Sequence, residues 1–305
     1  MDVNLLKQLC EIHSPSGNEG RMKDFLLDYV KAQGRSWKNR PQVIHGEQLQ
    51  DCLLLKFGTP RTAVFAHMDS VGFTVRYFNQ LVPIGSPEAP AGTLLTGSDS
   101  LGPVECELDF DSEHRAVFKF GRAVERGTDL TYQVNFRDTE EYIESASLDN
   151  RVGVYTALKV AETLDDGVIC FSCGEEHGGG SVPYLMRHVY ETWGVRQALV
   201  ADVTWITDGV SGGKGAVVSL RDRNIPRRAY IERVKLLARN SKVDHQFEVE
   251  GMGSSDGREL HASPYPVDWC FIGVPQEHPH TPAEKVFKYD IGCMINLYTY
   301  LMQHL

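Results

Sequence analysis

The sequence predicts an α/β fold: a mixed, mostly parallel sheet covered by helices on both faces, with a small inserted β domain. Three observations carry that prediction. Short apolar runs such as VICFSC (168–173) and QALVADV (197–203) are too hydrophobic for a sheet with one wet face. Segments of helical period flank them, as in RVGVYTALKVAETL (151–164) and VPYLMRHVYETW (182–193). From about 76 to 143 the helical period disappears, and short β-like runs alternate with turn residues.

Residues 2–12 and 19–33 read as amphipathic helices, separated by a turn and N-cap at SPSGN. The second stops at Gly34, a common helix terminator. Leu5, Leu6 and Leu9 mark an ordinary buried helix face, with Cys10 beside them in the core. CLLLKFG (52–58) and TAVFAH (62–67) read as strands around a Gly-Thr-Pro turn. LVPIG, TLLTG, VECELDF, AVFKFG and LTYQVNF then build the insertion. After the helix at 151, the buried strand at 168 and the helix at 182 come strands at 197–203 and 215–220 and a helix at 227–241. Strands at 245–250 and 268–274 and a last helix at about 287–304 finish the chain. The organisation is a discontinuous main unit, 1–75 and 142–305, and an inserted unit, 76–141.

A net charge of −10 leaves no basic face for phosphate contact, which argues against nucleic acid and anionic membrane surfaces as partners. No window reaches the roughly 18 apolar residues of a membrane span. The stretch MDVNLLKQLCEIHSPSG has no basic segment followed by an apolar one, so no secretory leader is expected. Seven scattered cysteines suit a reducing cytoplasm better than a disulfide framework. Cys170 and Cys173 form a C-x-x-C with no matching pair, and read as core rather than as a zinc ribbon.

In such sheets ligands bind beyond the carboxyl ends of strands. His67 ends one strand, with Asp69 two positions on; Asp149 precedes a helix; Glu175 and Glu176 follow VICFSC; Asp202 lies near a strand end; His278 and His280 follow DWCFIGV. With His67, Asp149, Glu176, Asp202 and His280 as ligands, three carboxylates supply three negative charges. Two divalent ions exceed that by one, and a bridging hydroxide restores neutrality. Imidazole with carboxylate suits zinc, cobalt or manganese better than calcium. Asp69, at i+2, is placed to accept the other N–H of His67. Of two adjacent glutamates, one can ligate while the other takes a proton from metal-activated water.

Five ordered motifs, AHMDSVGF (66–73), SLDNRVG (147–153), CGEEHGGG (173–180), LVADVT (199–204) and PHTPAE (279–284), resemble those of the glutamyl-aminopeptidase family. Deblocking and tetrahedral aminopeptidases belong to that family. SPSGNEG (14–20) and GSSDGREL (253–260) are similar to its N-terminal turn and late acidic loop. The resemblance implies a zinc-dependent exopeptidase fold and a cytoplasmic, dinuclear metal-dependent aminopeptidase acting on peptides. Asp149 would bridge two ions, His67 and Asp202 would complete one site, Glu176 and His280 the other, and Glu175 would be the general base. It further implies a cis Asp149–Asn150 bond and homo-oligomer contacts through the insertion. Asn150 stands where many members have aspartate, and the insertion is short for a dodecamer. A metal-dependent carboxypeptidase or N-deacylase on the same scaffold is the alternative. His278 reads as a rim residue or a spectator, His177 as a hydrogen-bonding residue, Glu284 as a brace for the His280 loop, and Asp256 as a substrate neighbour or a loop cap.

Overall fold

The computed structural model describes residues 1–305. Helices α1 (Val3–Glu11) and α2 (Gly20–Gln33) precede β1 (Gln42–Gly46), β2 (Gln50–Phe57) and β3 (Ala63–His67). The chain then builds β4 (Gly72–Val75), β5 (Leu81–Ile84), β6 (Leu94–Asp99), β7 (Gly102–Phe110), β8 (Ala116–Lys119) and β9 (Asp129–Tyr132). It returns through β10 (Arg137–Asp138), β11 (Tyr142–Ser145) and α3 (Leu148–Ala161). Next come β12 (Gly167–Ser172), α4 (Val182–Trp193), β13 (Gln197–Trp205), β14 (Ala216–Arg221) and α5 (Arg228–Ser241). The last elements are β15 (His245–Val249), α6 (Gly257–Ala262), β16 (Asp268–Glu277), β17 (Glu284–Phe287) and α7 (Lys288–His304).

Eleven strands form the main sheet, in the order β1-β2-β12-β3-β13-β16-β17-β11-β10, with β14 and β15 attached beside β16. Its centre, β12-β3-β13-β16, is parallel, and its flanks are largely antiparallel. The two strands read around the Gly-Thr-Pro turn are not neighbours, because β12 lies between them. All six residues of β12 are buried, so its backbone needs a hydrogen-bonding partner on each side.

Alternation along the central strands supplies two cores, one per face. Leu53, Leu55, Val64, Ala66, Ile169 and Phe171 face α1, α2, α3, α5 and α7. Cys52, Leu54, Ala63, Phe65, Val168 and Cys170 face α4 and α6, where Leu185, Met186, Val189 and Leu260 meet them. The second sheet, β5-β4-β9-β6-β7-β8, is antiparallel and has its own core around Val75, Leu95, Leu108 and Leu130. It begins at Gly72, because Gly72–Val75 already pairs with β5 and β9. The four parallel strands point their carboxyl ends to one edge of the main sheet. His67, the turn after β12, the end of β13 and the loop after β16 therefore meet there.

Candidate active site

The meeting point is organised around Asp149. The Asp149–Asn150 peptide is cis, and neither residue has helical dihedrals, so both stand apart from the regular turns of α3. Asp149 Oδ1 lies 3.3 Å from His67 Nε2, which is also 3.3 Å from Asp202 Oδ2. Asp149 Oδ2 lies 3.4 Å from His280 Nε2, which is 3.3 Å from Glu176 Oε2. One carboxylate thus meets an imidazole–carboxylate pair on each of its oxygens. Around a tetrahedral zinc with bonds of about 2.0–2.2 Å, ligand atoms sit about 3.3–3.6 Å apart. The four spacings match that edge length. His67, Asp149 and Glu176 offer ligand atoms within 4.8 Å of one another, a group that can hold a metal ion. Glu176 Oε1 is buried with no hydrogen-bond partner, as expected of an atom shaped for a cation rather than for a protein donor.

Around this group a ring of buried acceptors fixes the backbone. Asp69 is fully buried; its Oδ1 accepts from Glu175 N at 3.1 Å, and its Oδ2 from Glu176 N at 3.0 Å and Ser16 Oγ at 2.6 Å. It lies beside His67, as the i+2 spacing implies, but at 3.4 Å from Nδ1 and without a normal hydrogen bond to it. Its main work is to hold the turn carrying both glutamates. Glu284 spans the centre, accepting from Asp149 N and His280 N, each at 3.0 Å. Glu19 accepts from Gly17 N and Gly174 N, each at 3.0 Å. Ser255 Oγ donates to Asp202 Oδ2 at 2.5 Å. Asn150 donates to the Ala201 carbonyl and accepts from Gly153 N, both at 2.8 Å. An ionised aspartate could make only the second bond.

Electrostatics follow from this crowding. Burial, and then neighbouring carboxylates, push Glu175 and Glu176 well above the usual carboxyl range; Asp202 acts on the first and Asp149 on the second. Burial opposes protonation of His67, yet Asp202 and Asp149 raise it well above its usual value. His280 is raised to about 10 by Asp149 and Glu176, again against burial. Asp149 is held below its usual range by the two imidazoles despite its burial. The cage calls for positive charge, which is the electrostatic side of its fit to dications.

A cavity of about 260 Å³ opens over Asp149, Glu175, Glu176, Asp202 and His280. His67 is 1% exposed and sits behind that wall. His278 points outward, its side chain 67% exposed. His177 Nδ1 accepts from Gly85 N at 3.0 Å, tying the glutamate turn to the second sheet. Asp256 is buried against the Ser172 hydroxyl and does not line the cavity. Sequence reasoning passed over Glu19, Arg151, Asp222 and Glu248. Glu19 and Arg151 do lie inside the motifs SPSGNEG and SLDNRVG, whereas no motif contains Asp222 or Glu248.

The architecture is shared with solved aminopeptidases. Aminopeptidase APDkam598 from the archaeon Desulfurococcus kamchatkensis superposes with a TM-score of 0.86 at 18% identity, over 99% of this chain and 94% of that one. The Pyrococcus horikoshii TET1 peptidase, described as assembling into a tetrahedron or a large octahedral shell, superposes at 0.82 with 18% identity over 98% of each chain. The fold is that of the tetrahedral aminopeptidases. A profile for "M42 glutamyl aminopeptidase" matches residues 105–297, more than half the chain, and the chain belongs to that family. The Escherichia coli (strain K12) protein named "Putative aminopeptidase FrvX" is 23% identical, covering 97% of this chain and 94% of its own. The protein is an aminopeptidase, a peptide hydrolase.

Proposed function

We propose that the protein removes N-terminal residues from peptides at a centre of two divalent ions, with Glu175 as general base. The observation that carries this reading is Asp149, each of whose oxygens faces its own imidazole–carboxylate pair. His67, Asp202 and one Asp149 oxygen would hold one ion; Glu176, His280 and the other oxygen the second. Imidazole–carboxylate donors favour zinc, with cobalt or manganese on the same ligands. When bound, the ions polarise the scissile carbonyl and acidify a water. Glu175 lines the cavity and would take a proton at its carboxylate from the water that attacks the carbonyl carbon, then pass it to the amine that leaves as the C–N bond breaks. Asp69 keeps it in place through its backbone N–H.

Of the alternatives, a carboxypeptidase must bind a substrate carboxylate, and an N-deacylase takes a substrate with no free ammonium. Seven carboxylates line the cavity, and its one Lys or Arg, Arg258, is committed to Glu259 and to the Gly178 carbonyl. That charge favours a free ammonium and repels an anion. Assembly into a homo-oligomer is supported by the likeness in fold to the Pyrococcus horikoshii TET1 peptidase, described as assembling into a tetrahedron or a large octahedral shell. No helix is long and apolar enough to cross a membrane. The seven free cysteines fit a reducing cytoplasm.

The test reloads metal-free protein with zinc, cobalt or manganese and assays aminoacyl anilides with free or acetylated amines. Cleavage of the free-amine substrates alone is expected. Glu175→Gln should keep its metal content while kcat falls about 10²–10⁴-fold. Full activity in that variant removes Glu175 from the mechanism, and cleavage of only the acetylated series removes the aminopeptidase reading.

A further inference from the structure

We infer that the outer wall of the cavity selects peptides whose N-terminal residue is lysine or arginine. The inference rests on the function proposed above and names the substrate class of that same site. Four of the seven lining carboxylates, Asp149, Glu175, Glu176 and Asp202, belong to the centre. The other three, Asp222, Glu248 and Glu250, do not. They come from the ends of β14 and β15, whose parallel pairing brings those ends together. The charges facing Glu248 are Glu250 and Asp222, both negative.

Asp222 is the most telling of the three. It is 7% exposed, its Oδ1 accepts from Asn224 N at 2.5 Å and from Asn224 Nδ2 at 3.2 Å, and its Oδ2 is buried with no partner. A carboxylate oxygen left unpaired in a low-dielectric wall is costly, and an incoming donor with positive charge removes that cost. Glu248, 4% exposed, is pinned by Thr204 Oγ1 at 2.5 Å. Arg258 cannot neutralise the group while it is held by Glu259 and Gly178.

The rest of the wall fits the stem of such a side chain. Trp205, Met252 and Phe271 line the same cavity. Methylenes of lysine or arginine can lie on these surfaces while the cationic head reaches the carboxylates, and indole attracts that head as well. An N-terminal glutamate would meet three like charges in the same place.

The experiment compares p-nitroanilides of lysine, arginine, norleucine, leucine and glutamate on zinc-loaded protein. Norleucine matches the lysine stem and lacks its ammonium. We expect kcat/KM for lysine and arginine to exceed norleucine by at least about tenfold, with glutamate the poorest. Asp222→Asn should lower the lysine-to-norleucine ratio at least about fivefold, mainly through KM. Lysinamide should inhibit wild-type protein at lower concentration than norleucinamide, a reading that needs no variant. Norleucine or leucine cleaved as well as lysine overturns the inference and leaves the aminopeptidase reading standing. Equal losses on lysine and norleucine in Asp222→Asn also overturn it, placing these acids on the α-ammonium instead. Cleavage of none of the five overturns both.

Discussion

Arg151 shows how much of the site depends on one residue that touches no substrate. It is fully buried in α3, and its guanidinium donates to the carbonyls of Leu9 at 3.2 Å, Asp69 at 3.3 Å, Ile12 at 3.5 Å and Met68. It joins the end of α1 to the strand end carrying His67, and its charge faces Asp69, Glu176 and Glu284. Arg151→Met should destabilise the protein by about 2–4 kcal/mol in urea unfolding at pH 7, since it leaves buried carbonyls without donors. A loss below about 0.5 kcal/mol would show those carbonyls finding other partners. None of this was legible in SLDNRVG, because the acceptors are backbone atoms up to 142 positions away. That His67, Asp149, Glu176, Asp202 and His280 meet was foreshadowed because all are ligand-type side chains, four near strand ends and Asp149 before a helix. Asp222 follows a strand too, but its meaning depends on Glu248 and Glu250, which only the β14–β15 pairing brings close.

At the scale of elements, long strands and helices with one strong period were read close to their final bounds. The strands β1, β10, β11 and β17 were not. They are two to five residues long, and partners distant in sequence, rather than their own pattern, make them strands. His13, in the turn after α1, couples such distant parts: its Nδ1 lies 3.1 Å from Thr131 Oγ1 on β9. Burial, then Arg21 and Arg151, push its pKa down to about 4, below the ordinary 6.5 expected when unfolded. The folded value is the lower one, so its stabilising contribution is complete above about pH 6.5 and is lost as pH falls towards about 4. That loss is about 2–3 kcal/mol over the window. His13→Gln removes the titration, so its unfolding free energy should fall less between pH 7 and pH 4.5 than that of the wild type. Parallel pH profiles would mean that His13 takes up its proton in the folded state as readily as in the unfolded chain.

For the whole molecule, the acids behind a net charge of −10 include seven carboxylates that share one cavity. On the function proposed above, dications held by the folded chain would relieve that repulsion. At a free zinc concentration a thousandfold above Kd, each such site would add about 4 kcal/mol of stability. Chelator-treated protein should therefore melt lower, and zinc should raise its midpoint by about 5 °C or more. An unmoved midpoint with no retained zinc would dismiss the centre. The second sheet stands in a definite relation to that centre. Tyr132 Oη donates to the His280 carbonyl at 3.1 Å and Glu88 N to the same oxygen at 2.9 Å, so two residues of the inserted segment hold one backbone oxygen of the candidate site. A shift of the inserted segment at Tyr132 or Glu88 would therefore travel through that shared oxygen to the imidazole, so whatever that segment docks against can be felt at the centre.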